Sequence, residues 1–230
     1  MNGNGAGSSY FHSLNVRFQK RFTNRLTFLY NFAYSKLISE NNYLNDSDSA
    51  PEKRVGNDNR PIRNVLWGSY ELPFGRGAHF NVGRSGNRIA GGWSFNGALT
   101  LQSGSQIGWG NMIYFGGPLN LDPHQPDGYA FDINQFDHTS TQQLANNIRW
   151  FNNQFGNLRR DMVKNLDLSL IKRVNISEQR YLQLRFETFN TTNRVTFGNP
   201  NTTANNTAFG TIGSQANTPR RVQIGARLVW

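Results

Sequence analysis

Residues 162–189 read MVKNLDLSLIKRVNISEQRYLQLRFETF. Leu166, Leu168 and Leu170 fall on every second position, and Leu182, Leu184 and Phe186 repeat the pattern after a short turn at Asn175–Gln179. The intervening positions are polar: Asn165, Asp167 and Ser169 in the first run, and Gln183, Arg185 and Glu187 in the second. Successive side chains of a strand point to opposite faces, so the stretch predicts a hairpin whose two strands each have one apolar and one polar face.

The same alternation recurs outward from this hairpin. It marks seven runs, at roughly 9–20, 25–38, 60–72, 90–103, 162–174, 180–197 and 221–230. Tyr10, His12, Leu14, Val16 and Phe18 share one face of the first run. Phe28, Tyr30, Phe32 and Tyr34 share one face of the second, and Trp93 and Phe95 begin the fourth. Arg17 and Asn31 lie on the opposite faces, as does Arg227 near the C-terminus. Leu29, Phe189 and Val229 are apolar residues at polar parity.

These runs exceed the length of ordinary globular strands, about 5–6 residues, and suit a tilted membrane strand of about 9–11. The connections alternate in length. Those at 21–24, 73–89 and 175–179 are the shorter set, and those at about 39–59, 104–161 and 198–220 are long. Short turns on one side and long loops on the other are the layout of outer-membrane barrels, with the short side periplasmic and the long side extracellular. A loop of more than 50 residues counts against a compact soluble domain. The predicted fold is therefore all-β: an antiparallel transmembrane β-barrel segment of about seven long strands. Bacterial barrels begin at roughly eight strands, so the segment is an incomplete barrel.

Composition agrees. Apolar residues are 37% of the 230 and charged ones 17%, with 31 Asn and 23 Gly. Aromatics at 13% argue against disorder, which is poor in them. No run approaches the ~20 apolar residues of a membrane helix. The chain has no Cys, which excludes a disulfide scaffold and a cysteine-based metal site. MNGNGAGSSY has neither a basic n-region nor an apolar core, so it does not read as a signal peptide. That leaves a cytoplasmic chain or a segment of a longer exported one. The net charge of +10 permits a nucleic-acid or anionic-membrane partner. The basic residues are scattered, with only short clusters such as Arg159-Arg160 and Arg220-Arg221, so no nucleic-acid partner is expected.

The chain ends QIGARLVW. Gln223, Gly225, Leu228 and Trp230 form a polar-x-Gly-x-x-apolar-x-aromatic pattern. It resembles the C-terminal signal by which bacterial outer-membrane barrels are recognised for assembly, although Trp230 also suits a plain interfacial anchor. Four stretches sharpen the resemblance in order: DNRPIRNVLWGSYELPFGRG, GGWSFNGALTLQSG, NLDLSLIKRVNISEQRYLQLRFETFNTTNRVTFGNP and FGTIGSQANTPRRVQIGARLVW. Together they resemble the C-terminal third of a TonB-dependent receptor, in particular the Oar-like transporter barrels of Gram-negative bacteria.

That resemblance implies a roughly 22-stranded barrel with a plugged lumen that takes up large ligands with energy passed through TonB. Residues 1–230 would be the C-terminal part of it, with the plug and the remaining strands absent. The implied location is the cell outer membrane. The implied partners are outer-membrane lipid and lipopolysaccharide, the barrel-assembly machinery, the N-terminal plug and strands, and TonB only through that plug. No cofactor is implied. On this reading Phe28, Tyr30, Phe32, Tyr34, Trp93, Phe95, Leu166, Leu168, Leu170, Leu182, Leu184 and Phe186 face lipid. Arg17, Asn31, Asp167, Arg185, Glu187 and Arg227 face the lumen, since a lipid-facing Arg at mid-bilayer costs about 2–4 kcal/mol.

No catalytic or metal residue is assigned, and the chain is not read as an enzyme. His124 lies near Asp122 and Asp127, and His138 follows Asp137, but their spacing matches no ligand pattern. NDSDSAPE lacks the Gly and distal Glu of a calcium loop. No G-x-S-x-G elbow or phosphate loop is present. Arg185 and Glu187 form a pair better suited to a polar wall than to chemistry. Two other readings share parts of the pattern. One is a structural or adhesive outer-membrane barrel without transport. The other is a soluble secreted β-domain binding polysaccharide or nucleic acid. The long connection 104–161 has room for a short helix around Ser140–Asn147 or an extra hairpin.

Overall fold

The computed structural model describes all residues except 1–6, 22–24, 76, 111, 125–127, 140–154, 157 and 178. Eight strands form one antiparallel sheet. They are β1 (Ser8–Arg21), β2 (Leu26–Glu40), the two-residue β3 (Arg54–Val55), β4 (Ile62–Glu71), β5 (Trp93–Gln102), β6 (Val163–Asn175), β7 (Tyr181–Phe189) and β8 (Arg221–Val229). The spatial order β1-β2-β4-β5-β6-β7-β8 follows the chain, and β3 pairs the far end of β2. The seven long strands are thus an up-and-down meander, and the sheet is not closed. β1 and β8 are its edges.

Register follows the alternation. A one-residue slip would move every side chain to the other face. The observed pairing instead aligns apolar with apolar: Phe18↔Tyr30, Tyr30↔Leu66, Leu66↔Leu99 and Leu99↔Leu166 make one row. Tyr70↔Phe95, Phe95↔Leu170, Leu170↔Phe186 and Phe186↔Ile224 make another. Between them, Phe28↔Gly68↔Gly97↔Leu168 leaves space over the two glycines. A Cβ on Gly97 would sit 3.3 Å from Leu168 Cδ2.

Two boundaries differ from expectation. The run at 180–197 ends at Phe189, because Asn190 takes a left-handed conformation (φ 49°). Its side chain holds the turn, donating to Arg194 O (2.9 Å) and Thr218 O (3.1 Å) and accepting from Arg194 N–H (3.0 Å). The connection from β4 to β5 contains a helix, α1 (Gly83–Ala90), where only turns were expected, so β5 begins at Trp93 rather than 90. Asn87 and Asn81 support its first turns through side-chain hydrogen bonds to each other (2.7 Å) and to Val82 N–H (3.0 Å).

The C-terminal carbonyls of α1 lack intrahelical partners. Trp93 Nε1 donates to Ile89 O (2.9 Å), and Lys172 Nζ donates to Ile89 O (2.8 Å) and Gly91 O. Trp93 and Lys172 are cross-strand partners on the apolar face, so this end of α1 is docked on that face, at the rim with the short connections. A cation there also suits the helix dipole. Lys172→Met is expected to lower stability by about 1.5–3 kcal/mol and Trp93→Phe by about 1 kcal/mol. The urea midpoint of the refolded protein in detergent measures both. An unchanged midpoint for Lys172→Met would show that this docking contributes nothing.

Candidate functional site: a two-faced wall and a loop core

The first feature is the wall. Register places Phe28, Tyr30, Phe32 and Tyr34 on the face that also carries Trp93, Phe95, Leu166, Leu168, Leu170, Leu182, Leu184 and Phe186. Large apolar side chains stand uncovered there, among them Phe95, Leu184, Phe186 and Ile224 (80% exposed). An apolar surface of this extent marks an interaction face. Four lysines share this face: three lie near strand ends, and Lys36 lies four residues inside the end of β2, opposite His12. Lys20 lies one residue before the end of β1, Lys164 one residue after the start of β6, and Lys172 on the carbonyls of α1. Long Lys stems at such positions carry the ammonium toward the rim.

The opposite face is polar. Arg17 and Asn31 are cross-strand partners. Arg185 Nη2 meets Glu187 Oε1 at 2.6 Å. Glu187 lies opposite Ser169 and Gln223, and Arg227 lies opposite Gln183. Asp167 has a structural duty that spacing did not disclose. Its Oδ1 accepts from Asn190 N–H (2.8 Å) and its Oδ2 from Asn165 Nδ2 (2.9 Å), so it holds the end of β7. Phe189 is accounted for by the Arg221 guanidinium over its ring at 5.7 Å. Val229 pairs with Tyr181, whose ring lies under Arg173 at 4.0 Å. Leu29 pairs with Trp67, and Trp67 with Ala98, giving the polar face a small apolar row.

The C-terminal pattern lies along the edge strand. Gln223, Gly225 and Leu228 pair with Glu187, Arg185 and Leu182, and Trp230 follows the strand, 87% exposed. The outer edge of β8 carries backbone groups that no other described strand satisfies. Edges of this kind template further pairing.

The second feature is the core, and it lies away from the sheet. Phe131, Phe136, Leu158, Met112, Leu119, Ala130, Ala204 and Phe209 form one buried cluster from the two longest connections, 103–162 and 190–220. Trp109 stacks on Phe136 (5.1 Å between centroids, 13° between planes) and meets Phe155 edge-on. Phe131 and Phe209 join the connections edge to face at 5.3 Å. Backbone bonds reinforce them: Ala130 N–H donates to Gly210 O at 2.7 Å. Gly210 has φ 80°, and a Cβ there would strike Ile133 Cγ2 at 2.5 Å, so the close approach requires glycine. Arg159 ties this unit to the β2–β4 connection, donating to Asn59 O (2.7 Å) and Gly104 O (3.3 Å). Burial lowers the pKa of its guanidinium.

The loops therefore fold into a cap with its own core. The sequence reading of 104–161 as a long connection with room for a short helix or an extra hairpin missed it, although Trp109, Tyr114, Tyr129, Phe131, Phe136 and Phe155 supplied a signal. The segment Ser140–Asn147 lies outside the described residues, as does Asp127. His124 packs edge-on against Phe197 (4.7 Å) with its Nδ1 3.6 Å from Asp122. His138 stacks over Phe209. Asp48 Oδ2 accepts from Asn45 N–H (2.8 Å), closing a turn.

An antiparallel meander of long two-faced strands, with short connections at one rim and long ones at the other, defines the wall of a membrane β-barrel. The chain matches the model of the outer membrane beta barrel domain family over residues 2–223 and belongs to that family. Its location is the outer membrane. Comparison with curated proteins and with solved structures finds no match.

Proposed function

We propose that the chain supplies the C-terminal strands of a TonB-dependent receptor of the Oar-like kind, which takes up a large ligand across the outer membrane. The observation that carries this reading is the open sheet. Seven long strands with unpaired edges at β1 and β8 have no stable place in hydrocarbon, where every backbone group must be satisfied. Further strands must complete the wall, and the ordered series of motifs from DNRPIRNVLW to the final Trp230 is similar to that transporter family.

In this reading the apolar face meets lipid, and Arg17, Asn31, Asp167, Arg185, Glu187 and Arg227 line the lumen. The short connections are periplasmic and the loop core is extracellular. The partners are outer-membrane lipid and lipopolysaccharide, the assembly machinery acting on Gln223, Gly225, Leu228 and Trp230, and an N-terminal plug through which TonB acts. No nucleic acid and no catalytic step is involved.

The test is the DNA upstream of the Met1 codon. An open frame encoding a plug domain and further alternating strands supports transport. A frame that closes the barrel without a plug overturns it in favour of a structural or adhesive barrel. The assembly role is tested separately. Removing Trp230 from the full-length gene product is expected to reduce the amount recovered in the outer membrane severalfold, as read by immunoblotting of membrane fractions. Undiminished recovery would leave Trp230 as an interfacial anchor only.

A further inference from the structure

A cleft of about 670 Å³ opens where the apolar face of the wall meets the connection after β7. Leu99 and Leu166, which are cross-strand partners, line it from the wall, and Val195 and Phe197 line it from the connection. Two cations border it, Lys164 and Arg194. Lys164 shares the face of Leu166, two positions along β6. Among the described residues it makes no ion pair. Arg194 Nη2 lies 3.5 Å from Asp161 Oδ1, and its buried Nε has no hydrogen-bond partner. Asp161 Oδ2 also accepts from Phe197 N–H (3.0 Å), so one carboxylate positions both the guanidinium and the aromatic wall.

The placement identifies the occupant. The cleft is on the apolar face, so what enters it comes from the bilayer. It is at the rim bearing the long connections, where β6 begins and β7 has ended. An apolar floor with two cations at its edge suits a molecule with an acyl chain and a phosphate. A phosphate accepts charge-assisted hydrogen bonds from Arg and Lys, and each buried CH₂ of a chain adds about 0.8 kcal/mol.

We propose that this cleft is a binding site for one phosphorylated acyl lipid of the outer leaflet, the lipid A part of lipopolysaccharide. An acyl chain lies against Leu99, Leu166, Val195 and Phe197, and Lys164 and Arg194 hold the phosphate. The proposal rests on the reading of the apolar face as lipid-facing and of the long connections as extracellular. The site fixes the height of the wall in the outer leaflet and links the membrane to the loop core through the 190–197 turn.

The experiment uses the full-length gene product in detergent, with lipid binding followed by native mass spectrometry. The probes are diphosphoryl lipid A, the same lipid dephosphorylated, and inorganic phosphate. Diphosphoryl lipid A is expected to bind, the dephosphorylated form to bind about tenfold more weakly, and inorganic phosphate not to compete at equal concentration. Lys164→Gln removes a charge that makes no ion pair among the described residues, so it is expected to preserve folding and to weaken binding about tenfold, equivalent to about 1.4 kcal/mol. Leu99→Trp fills the cleft and is expected to have an effect at least as large.

Wild-type affinity in both variants overturns the proposal, as does equal binding of the two lipid forms. A nitroxide on Leu168→Cys separates the two readings when reconstituted in vesicles; residues 1–230 hold no other cysteine, and any elsewhere in the full-length product is replaced by Ser first. If that label is buried in hydrocarbon and the variants bind normally, only the cleft fails. If the label is in water, the face assignment fails and the cleft proposal fails with it.

Discussion

Leu168→Arg is expected to abolish recovery of the full-length protein in the outer membrane, while Asp167→Asn leaves it close to wild type. The two positions are adjacent, and parity alone separates them. Leu168 pairs with Gly97 in the row that continues to Gly68 and Phe28. An arginine there has Gly97 on one side and Thr188 on the other, and no carboxylate in the row. With this face against lipid, as proposed, it costs about 2–4 kcal/mol near mid-bilayer, and it must also be carried through assembly.

Asp167 sits on the other face with defined work. Its Oδ1 accepts from Asn190 N–H, and an amide oxygen can accept that bond as well. Asp167→Ala, which cannot, is expected to cost about 1–3 kcal/mol by leaving the Asn190 donor without its partner. Quantitative immunoblotting of outer-membrane fractions checks all three variants. Tolerance of Leu168→Arg together with loss of Asp167→Asn would invert the faces and sink the assignment.

The second large effect is expected from Phe136→Ala. Phe136 is 1% exposed and touches Trp109, Tyr114, Phe131, Phe155 and Phe209. Truncating a buried Phe to Ala costs about 3–5 kcal/mol. The loop cap is small, so this loss is expected to unfold it. Among the described residues the strands share no core residue with the cap, so the wall is expected to assemble in normal amount. Protease added to whole cells measures the first effect, as rapid cleavage within the connections. Membrane fractionation measures the second. Loss of the wall together with the cap would show that the loops are needed to fold the strands.

How much was legible follows from the range of the interactions. The seven long strands were read from single side chains, because a two-faced sheet repeats every second residue and each strand carries its own pattern. The three shorter connections predicted antiparallel neighbours across them, and the pairing across the three long ones is seen in the sheet order. The end of β7 was read too late. The residues after Phe189 still contain Val195 and Phe197, and only the left-handed turn at Asn190, held by Thr218 from 28 residues away, breaks the strand. The helix α1 was missed for a related reason. Its eight residues include two glycines, and what docks it is Lys172, a residue two strands along the chain.

The candidate site divides in the same way. The two faces and the C-terminal pattern were properties of local spacing, so alternation alone determined them. The loop core, the holding role of Asp167, the cation–π contacts that place Phe189 and Tyr181 on the polar face, and the cleft between Leu99 and Phe197 were not visible along the chain. Each is made by residues far apart in the chain, and the connecting segments have no period to announce which of their aromatics will meet. By itself the sequence determined a membrane wall with one apolar and one polar side. Only the tertiary structure decided that the long connections fold onto each other, because burying Phe131 and Phe209 together depends on a contact between segments about 80 residues apart, at a closure cost that rises only slowly with loop length.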